Sequence, residues 1–322
     1  MRLRLGLNIS KWIGRSTYEI GFVILVKTDN AGVSNNEQFQ FTGALGDYDV
    51  QVYDSTGSTL QETITGLSDA ATITIAAGAG TYELRVLPAE TGGFNQIRFN
   101  NGGDKDKLLE VRNWGDIQWS STGLLNAFYG CTNLTSITSF VAPDLSSTTN
   151  LFQFAFNCSS LTTLDVSNWD VSNIVSFQNF VLGCTNLTEL DVSNWNTSNV
   201  LNFAQFISNC DALSTIDVSN WNTAKVQNFG FFAAFSDNLT DIIGIENLDI
   251  SSITNFSGFL RLITLPTSRY DQLLINYEAQ NPPTNLSFDG GNSKFTAGGA
   301  AEAARTSLAT TYNWVITDGG PA

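Results

Sequence analysis

Three near-copies of one phrase, "DVSNWDVSN" from Asp165, "DVSNWNTSN" from Asp191 and "DVSNWNTAK" from Asp217, recur every 26 residues and hold the side chains best suited to chemistry. Their tryptophans, Trp169, Trp195 and Trp221, would form a stripe of regularly spaced indoles that could grip sugar rings. The competing role is packing, because an indole buries a large apolar area at the corner of a folded unit. Asp165, Asp191 and Asp217 alternate with apolar neighbours and so are expected to point outward from a strand. Like charges about 5 Å apart in water repel by only ~0.8 kcal/mol, so such a stripe is tolerable without any ligand. With Asn168, Asn194 and Asn220 it is a candidate binding surface, an acidic and amide-rich face for a partner. The same oxygens could take Ca²⁺, or turn inward to local hydrogen bonds with the backbone.

Other chemistry is scarce. The chain has no histidine, which removes the Ser/His/Asp and Cys/His arrangements and His-ligated zinc. The four cysteines, Cys131, Cys158, Cys184 and Cys210, follow the repeat period, and Ser236 takes the fifth place. That regularity favours a ladder of buried free thiols over disulfides or a metal site, which needs closely spaced ligands. Asp47, Asp49 and Asp54, and Asp104 with Asp106, read as solvated turns. No catalytic residue and no cofactor is singled out, with Ca²⁺ the one alternative. The expectation is a protein that is not an enzyme.

The net charge of the 322 residues is −15, yet residues 1–16 carry Arg2, Arg4, Lys11 and Arg15 without an acid. A polyanionic body argues against nucleic acid as a partner, while the basic segment suits docking to an acidic acceptor. The short apolar run from Phe22 to Val26 is neither a signal-peptide core nor a membrane span, so synthesis in the cytosol without membrane insertion is expected.

The elements that must position these residues follow from the period. Leu134, Leu161, Leu187, Leu213 and Leu239 stand three residues after the Cys or Ser of each unit, which gives five units between about 120 and 260. "LTTLDVSNW" alternates like a short strand, and Phe177 with Phe180, Phe203 with Phe206 and Phe229 with Phe232 are spaced like one or two helical turns. Strand, corner and helical turn make a solenoid whose stacked strands pair in parallel at about 4.8 Å. Before it, "GFVILVKT", "EQFQFTG", "YDVQVYD", "TLQETITG", "ATITIAA", "TYELRVLP" and "FNQIRFN" read as the seven strands of an antiparallel Ig-like or PKD-like sandwich. After it, one helix is expected near Thr267 with Tyr270, Leu273, Leu274 and Tyr277 on one face. A second is expected from Thr296 as N-cap, through Ala300, Ala304 and Leu308 toward Tyr312.

The pattern "CSSLTTLDVSNWDVSN" resembles the 26-residue repeats of the BspA-like leucine-rich-repeat class, found in bacterial surface proteins and in proteins of their phages. "GGDKDKLLEVRNWGDIQWSSTGLLNAFYGCTNL" is similar to the junction that such proteins place before the first repeat, and residues 267–319 to their C-terminal cap. Phe177, Phe180, Phe203 and Phe206 stand where those repeats often carry Met. The fold class expected is therefore mixed α/β: a docking arm at 1–16, a sandwich at 17–101, a leucine-rich-repeat solenoid at 102–264 and a helical cap at 265–322. The resemblance implies a non-enzymatic bacteriophage virion protein, a head- or tail-attached fibre, decoration or receptor-binding component. Its partners would be other virion proteins through residues 1–16 and a glycan or protein of the host surface, with a homo-oligomer left open. The location implied is a virion assembled in the host cytoplasm. The alternatives are a bacterial cell-surface adhesin and, third, a polysaccharide-acting enzyme.

Overall fold

A computed structural model describes residues 21–89 and 93–322. The strongest strand former in the chain, the run FVILVK, is β1 (Phe22–Lys27), and its apolar side chains place it at the centre of the principal sheet. Around it lie β3 (Asp47–Asp54), β4 (Leu60–Ser68), β6 (Thr81–Pro88) and β7 (Leu108–Asn113), all antiparallel, while β2 (Gln38–Gln40) and β5 (Thr72–Thr74) form a separate pair. The β3–β4 hairpin closes where Asp54 accepts the N–H of Gly57 and its carboxylate accepts those of Thr56 and Ser58. Gly57 has φ +73°, and a Cβ there would fall 2.6 Å from the Glu83 carboxylate, so both conformation and space require glycine.

The sheet then changes sense. On its far side β7 pairs in parallel with β8 (Ser136–Ile137), and β8 with β9 (Thr163–Leu164), at offsets of 26 and 27 residues. Seven strands in the order β4-β3-β6-β1-β7-β8-β9 thus form one mixed sheet. Farther on, β10 (Thr215–Asp217) and β11 (Asp241–Ile243) pair in the same parallel manner. A second row of parallel bridges joins Asn150, Ser176, Asn202, Asn228 and Asn255.

The expected fold class is corrected here. Among the described residues the molecule is sheet and turn with two short α-helices, α1 (Thr267–Ala279) and α2 (Ala300–Thr310), and the strand-and-helix coils of a leucine-rich-repeat solenoid do not form. Nor is the N-terminal part a free-standing sandwich, because its main sheet runs on into the first parallel rungs. The physical reason lies in the segments read as helical turns. In "NFVLGC", Asn179 and Gly183 take φ +59° and +80°. A left-handed residue every fourth position cannot sustain a right-handed helix. The N–H groups of Asn179, Val181 and Gly183 donate instead to the carbonyls of Ala204, Phe206 and Ser208 in the next unit. Apolar residues three apart here mark tight turns, closed by bonds such as Phe180 N–H to Phe177 O, 3.0 Å.

"FNQIRFN" is corrected as well. It is not a strand of the sandwich: its Ile97 and Phe99 N–H groups donate to Gly123 and Ala127, which makes it the rung before the first turn row. β7, which lies in the junction sequence, is a strand that the expected seven do not include.

Among the described residues one apolar core runs from Phe22 to Trp314. Trp114, 1% exposed, joins its two parts, with ring centroids 5.7 Å from both Phe22 and Trp169. Beyond it two phenylalanine columns stack through the repeats. Phe177, Phe203 and Phe229 follow at 5.5 and 5.7 Å, and Phe154, Phe180, Phe206 and Phe232 at 5.2, 5.6 and 5.8 Å. At the far end α1 buries Tyr270, Leu273, Leu274 and Tyr277, and the Tyr277 hydroxyl donates to Ile245 O at 2.8 Å. α2 packs on α1 but starts at Ala300 behind Gly299; Thr296 is no N-cap, since its N–H and hydroxyl both donate to Asp271. β12 (Ser287–Asp289) and β13 (Val315–Thr317) add a last parallel pair.

Candidate interaction surface

The three columns of the "DVSNW" phrase end up in different environments. Asp165, Asp191 and Asp217 lie on the outer face of the parallel rungs, the first two exposed and the third half-buried. Each carboxylate accepts the backbone N–H of the serine two residues on, at 3.3, 3.1 and 2.9 Å. They are Asx corners, in which a side-chain oxygen replaces a backbone carbonyl and turns the chain out of the strand. The Ser219 hydroxyl and N–H hold the Asp217 carboxyl below the usual carboxylate range, and Ser172 does the same for Asp170.

The corner device recurs at positions the sequence does not single out. A second column, Asp144, Asp170, Asn196, Asn222 and Asp249, and a third, Asn150, Asn202, Asn228 and Asn255, each accept the N–H two residues ahead. The signal is present as Asp or Asn at the repeat period, but only the chain path shows that each one turns a corner.

The tryptophans are not on the surface. Trp169, Trp195 and Trp221 are 6, 2 and 7% exposed. Trp195 stacks on Phe177 at 4.6 Å and Trp221 on Phe203 at 4.4 Å, and their indole N–H groups donate to Val166 O and Val192 O one unit back. No indole face is left for a sugar. Asn168, Asn194 and Asn220 are exposed, and Asn220 donates to Ser193 O of the preceding unit. Asn173, Asn186, Asn199 and Asn238 make the same backward bond to Ser146, Ser159, Ser172 and Asp211.

The cysteines are free and buried, and burial pushes each thiol pKa well up. Cys158, Cys184 and Cys210 donate Sγ–H to Phe128, Ala155 and Val181 carbonyls at 3.0, 3.1 and 3.3 Å, and the Ser236 hydroxyl makes the equivalent bond to Ile207 at 2.8 Å. They serve as rung-to-rung donors.

Among the described residues no three Asp, Glu, Cys or His side chains gather closely enough to hold a metal ion. In the Asp column each Oδ1 is engaged by the serine two residues on. No described helix is long and apolar enough to cross a membrane. Arg2, Arg4, Lys11 and Arg15 lie outside the described residues.

Asp104 departs most from its sequence reading. It is fully buried, beside an equally buried Lys107 at 3.7 Å. The Asp104 carboxylate accepts N–H groups of Val33, Ser34 and Gln40, while the Lys107 ammonium donates to Ser34, Asn35 and Gln38 carbonyls. Every charge is answered by backbone, so the pair locks the 33–40 loop and offers nothing to a ligand.

What is left for a partner is the outer surface of the repeats. Between residues 121 and 260 a single cation, Lys225, stands against eleven acids. The face is anionic, and its corners are fixed by bonds within and between units.

Residues 122–244, within that stretch, match the family described as "Mycoplasma protein of unknown function, DUF285". No curated protein and no solved structure matches the chain.

Proposed function

We propose that the chain is a non-enzymatic bacteriophage virion component that presents its repeat surface to the host surface or to a protein partner. The observation that carries this reading is how the polar side chains of the repeats are used. Asp and Asn turn the corners, and amides and thiols tie unit to unit. Such a body holds its exposed side chains in register about 4.8 Å apart, which suits display more than turnover. The virion setting comes from the resemblance of the repeats, and the attachment role of residues 1–16 from their uncompensated positive charge.

A bacterial cell-surface adhesin is the second reading, favoured by the description of the matching family as a Mycoplasma protein. Mass spectrometry of purified phage particles and of proteins shaved from intact cells separates the two. Fixed stoichiometry in particles is the expected result, recovery from the cell surface alone selects the adhesin, and absence from both overturns the display role.

A further inference from the structure

We infer that the turn-row side of the repeats carries a binding notch, centred on Gly183, for an uncharged polyhydroxyl ring such as a neutral hexose unit of a glycan. This rests on the display reading above and gives it a site and a ligand class. The notch arises from a break in two columns of side chains. Every unit places two left-handed residues four apart on this side. The second of these positions holds Gly130, Asn157, Gly183, Asn209, Phe235 and Leu262 in successive units, at φ +79°, +57°, +80°, +53°, +63° and +68°. Four of the six bear a side chain in that conformation, so the backbone alone does not demand glycine at 183. What Gly183 supplies is room for the Asn157 side chain, whose Oδ1 lies where a Cβ at 183 would stand, so that this carboxamide lies against the floor of the notch. The neighbouring column, Tyr129, Phe156, Leu182 and Ser208, shrinks along the same direction.

The result is a groove of about 640 Å³ floored by Leu182 and Gly183. On one side is Phe156, whose ring stacks on Tyr129 at 4.6 Å with 22° between planes, so that Tyr129 covers one ring face. On the other side are Gln205 and Asn209. In the next unit, Phe231 and Phe235 follow them in their columns, half-buried and stacked on each other at 6.3 Å.

The polar groups here differ from the asparagines that tie one unit to the next. The amides of Asn173, Asn186, Asn199, Asn220 and Asn238 are all tied to the preceding unit. The side-chain carboxamides of Asn157, Gln205 and Asn209 have no hydrogen-bond partner among the described residues, yet all three line this groove. Four residues before Gly183 in the same unit, Asn179 is 8% exposed and its Oδ1 is buried without a partner. A concave wall with one aromatic face and several converging carboxamides is the chemistry that recognises a ring with hydroxyls on its edge and C–H groups on its face. No lining residue is charged, and Asp211 and Asp237 stand in the units beyond, which disfavours sulfated or sialylated sugars.

The test is an array of neutral, amino-substituted, sulfated and sialylated oligosaccharides probed with the full chain, followed by titration of the hits by calorimetry. Neutral glycans are expected to bind, with affinity little changed between 50 and about 500 mM salt, because no ion pair contributes. Gly183→Asn fills the notch with the residue its own column carries at 157 and 209, and is expected to weaken binding at least tenfold with the melting temperature maintained. Should that variant not fold, Gln205→Ala and Asn209→Ala, both at half-buried surface positions, are read instead and each is expected to weaken binding several-fold. Absence of binding by every glycan, binding restricted to charged glycans, or Gly183→Asn equal to the parent chain would overturn the site. If whole-cell attachment persists while Gly183→Asn leaves it unchanged, the notch falls and the display role stands. If the notch binds glycan but the chain is found neither on particles nor on cells, the reverse holds.

Discussion

The antiparallel region around β1 and the parallel repeats that begin at β8 share one core, and β8 and β9 continue the sheet of β1, yet the two regions are held together by opposite strategies. In the first, stability is concentrated in contacts that occur once, such as the Asp104–Lys107 lock or the Glu83 carboxylate, which receives Arg85 at 2.7 Å and Arg112 at 3.0 Å. In the second it is distributed over the same few contacts made again in each unit: a stacked phenylalanine, an Asx corner, a thiol or hydroxyl aimed at the carbonyl behind. A singular contact has no substitute when lost. A repeated one is backed by its neighbours, and the chain already shows this where Ser236 replaces Cys and Leu248 replaces Trp.

That contrast can be broken by substitution. The largest effect is expected for Lys107→Ala, which strands a buried carboxylate and frees the 33–40 loop. A loss of about 3–5 kcal/mol in guanidinium unfolding is anticipated, and a loss below about 1 kcal/mol would show the lock to be dispensable. Next comes Trp195→Leu, which copies the leucine that the fifth unit carries at 248. It removes the stack on Phe177 and one of the two hydrogen bonds that Val166 O accepts, the Trp169 N–H remaining, and should cost about 2–3 kcal/mol. A cost equal to that of Lys107→Ala would erase the distinction between singular and repeated contacts. Cys184→Ser should cost about 1 kcal/mol or less, because a hydroxyl can make the bond that Ser236 makes already.

The smallest effect at neutral pH is expected for the double variant Asp170→Asn, Asp217→Asn. Each amide oxygen can still accept the serine N–H, so the melting temperature near pH 7 should hardly move. The difference appears in acid. Both carboxyls are held below their ordinary value in the folded chain, so their contribution is present above the unfolded-state pKa of about 4 and is lost as pH falls through the lower folded values. The parent chain should therefore lose stability more steeply than the variant below about pH 4. Parallel acid titrations followed by circular dichroism would check this, and identical slopes would remove the carboxylates from the account.

How much of this is visible in the sequence divides along the same line. In the antiparallel region six of the seven expected strand segments contain strands, since alternation and turn residues are local signals. Asp104 in "GGDKDK" reads as a solvated turn and is not one, because its partners, Val33, Ser34 and Gln40, are more than 60 residues away. In the repeats the period is plain from Cys131 to Ser236, but the hydrogen-bonding sense is not. Phe177 and Phe180 are compatible with a helical turn or with a run of tight turns, and only the left-handed Asn179 and Gly183 decide between them. Asn and Gly do favour that conformation, but Phe231, Phe235 and Leu262 adopt it too, so composition alone is an uncertain guide.

The candidate site follows the same logic. Asp165, Asp191 and Asp217 do face outward, as alternation requires, whereas the indoles at 169, 195 and 221 are turned into the core. By itself the sequence determined the 26-residue period, the strand segments around β1, the buried character of the cysteines and the anionic charge of the repeat surface, because each depends on residue type and spacing alone. Tertiary structure alone decided that the rungs extend the antiparallel sheet and that the turn rows bond forward to the next unit. It also decided that Asn157, Gln205 and Asn209 meet around the notch at Gly183, because which side chains become neighbours depends on how one unit registers on the next.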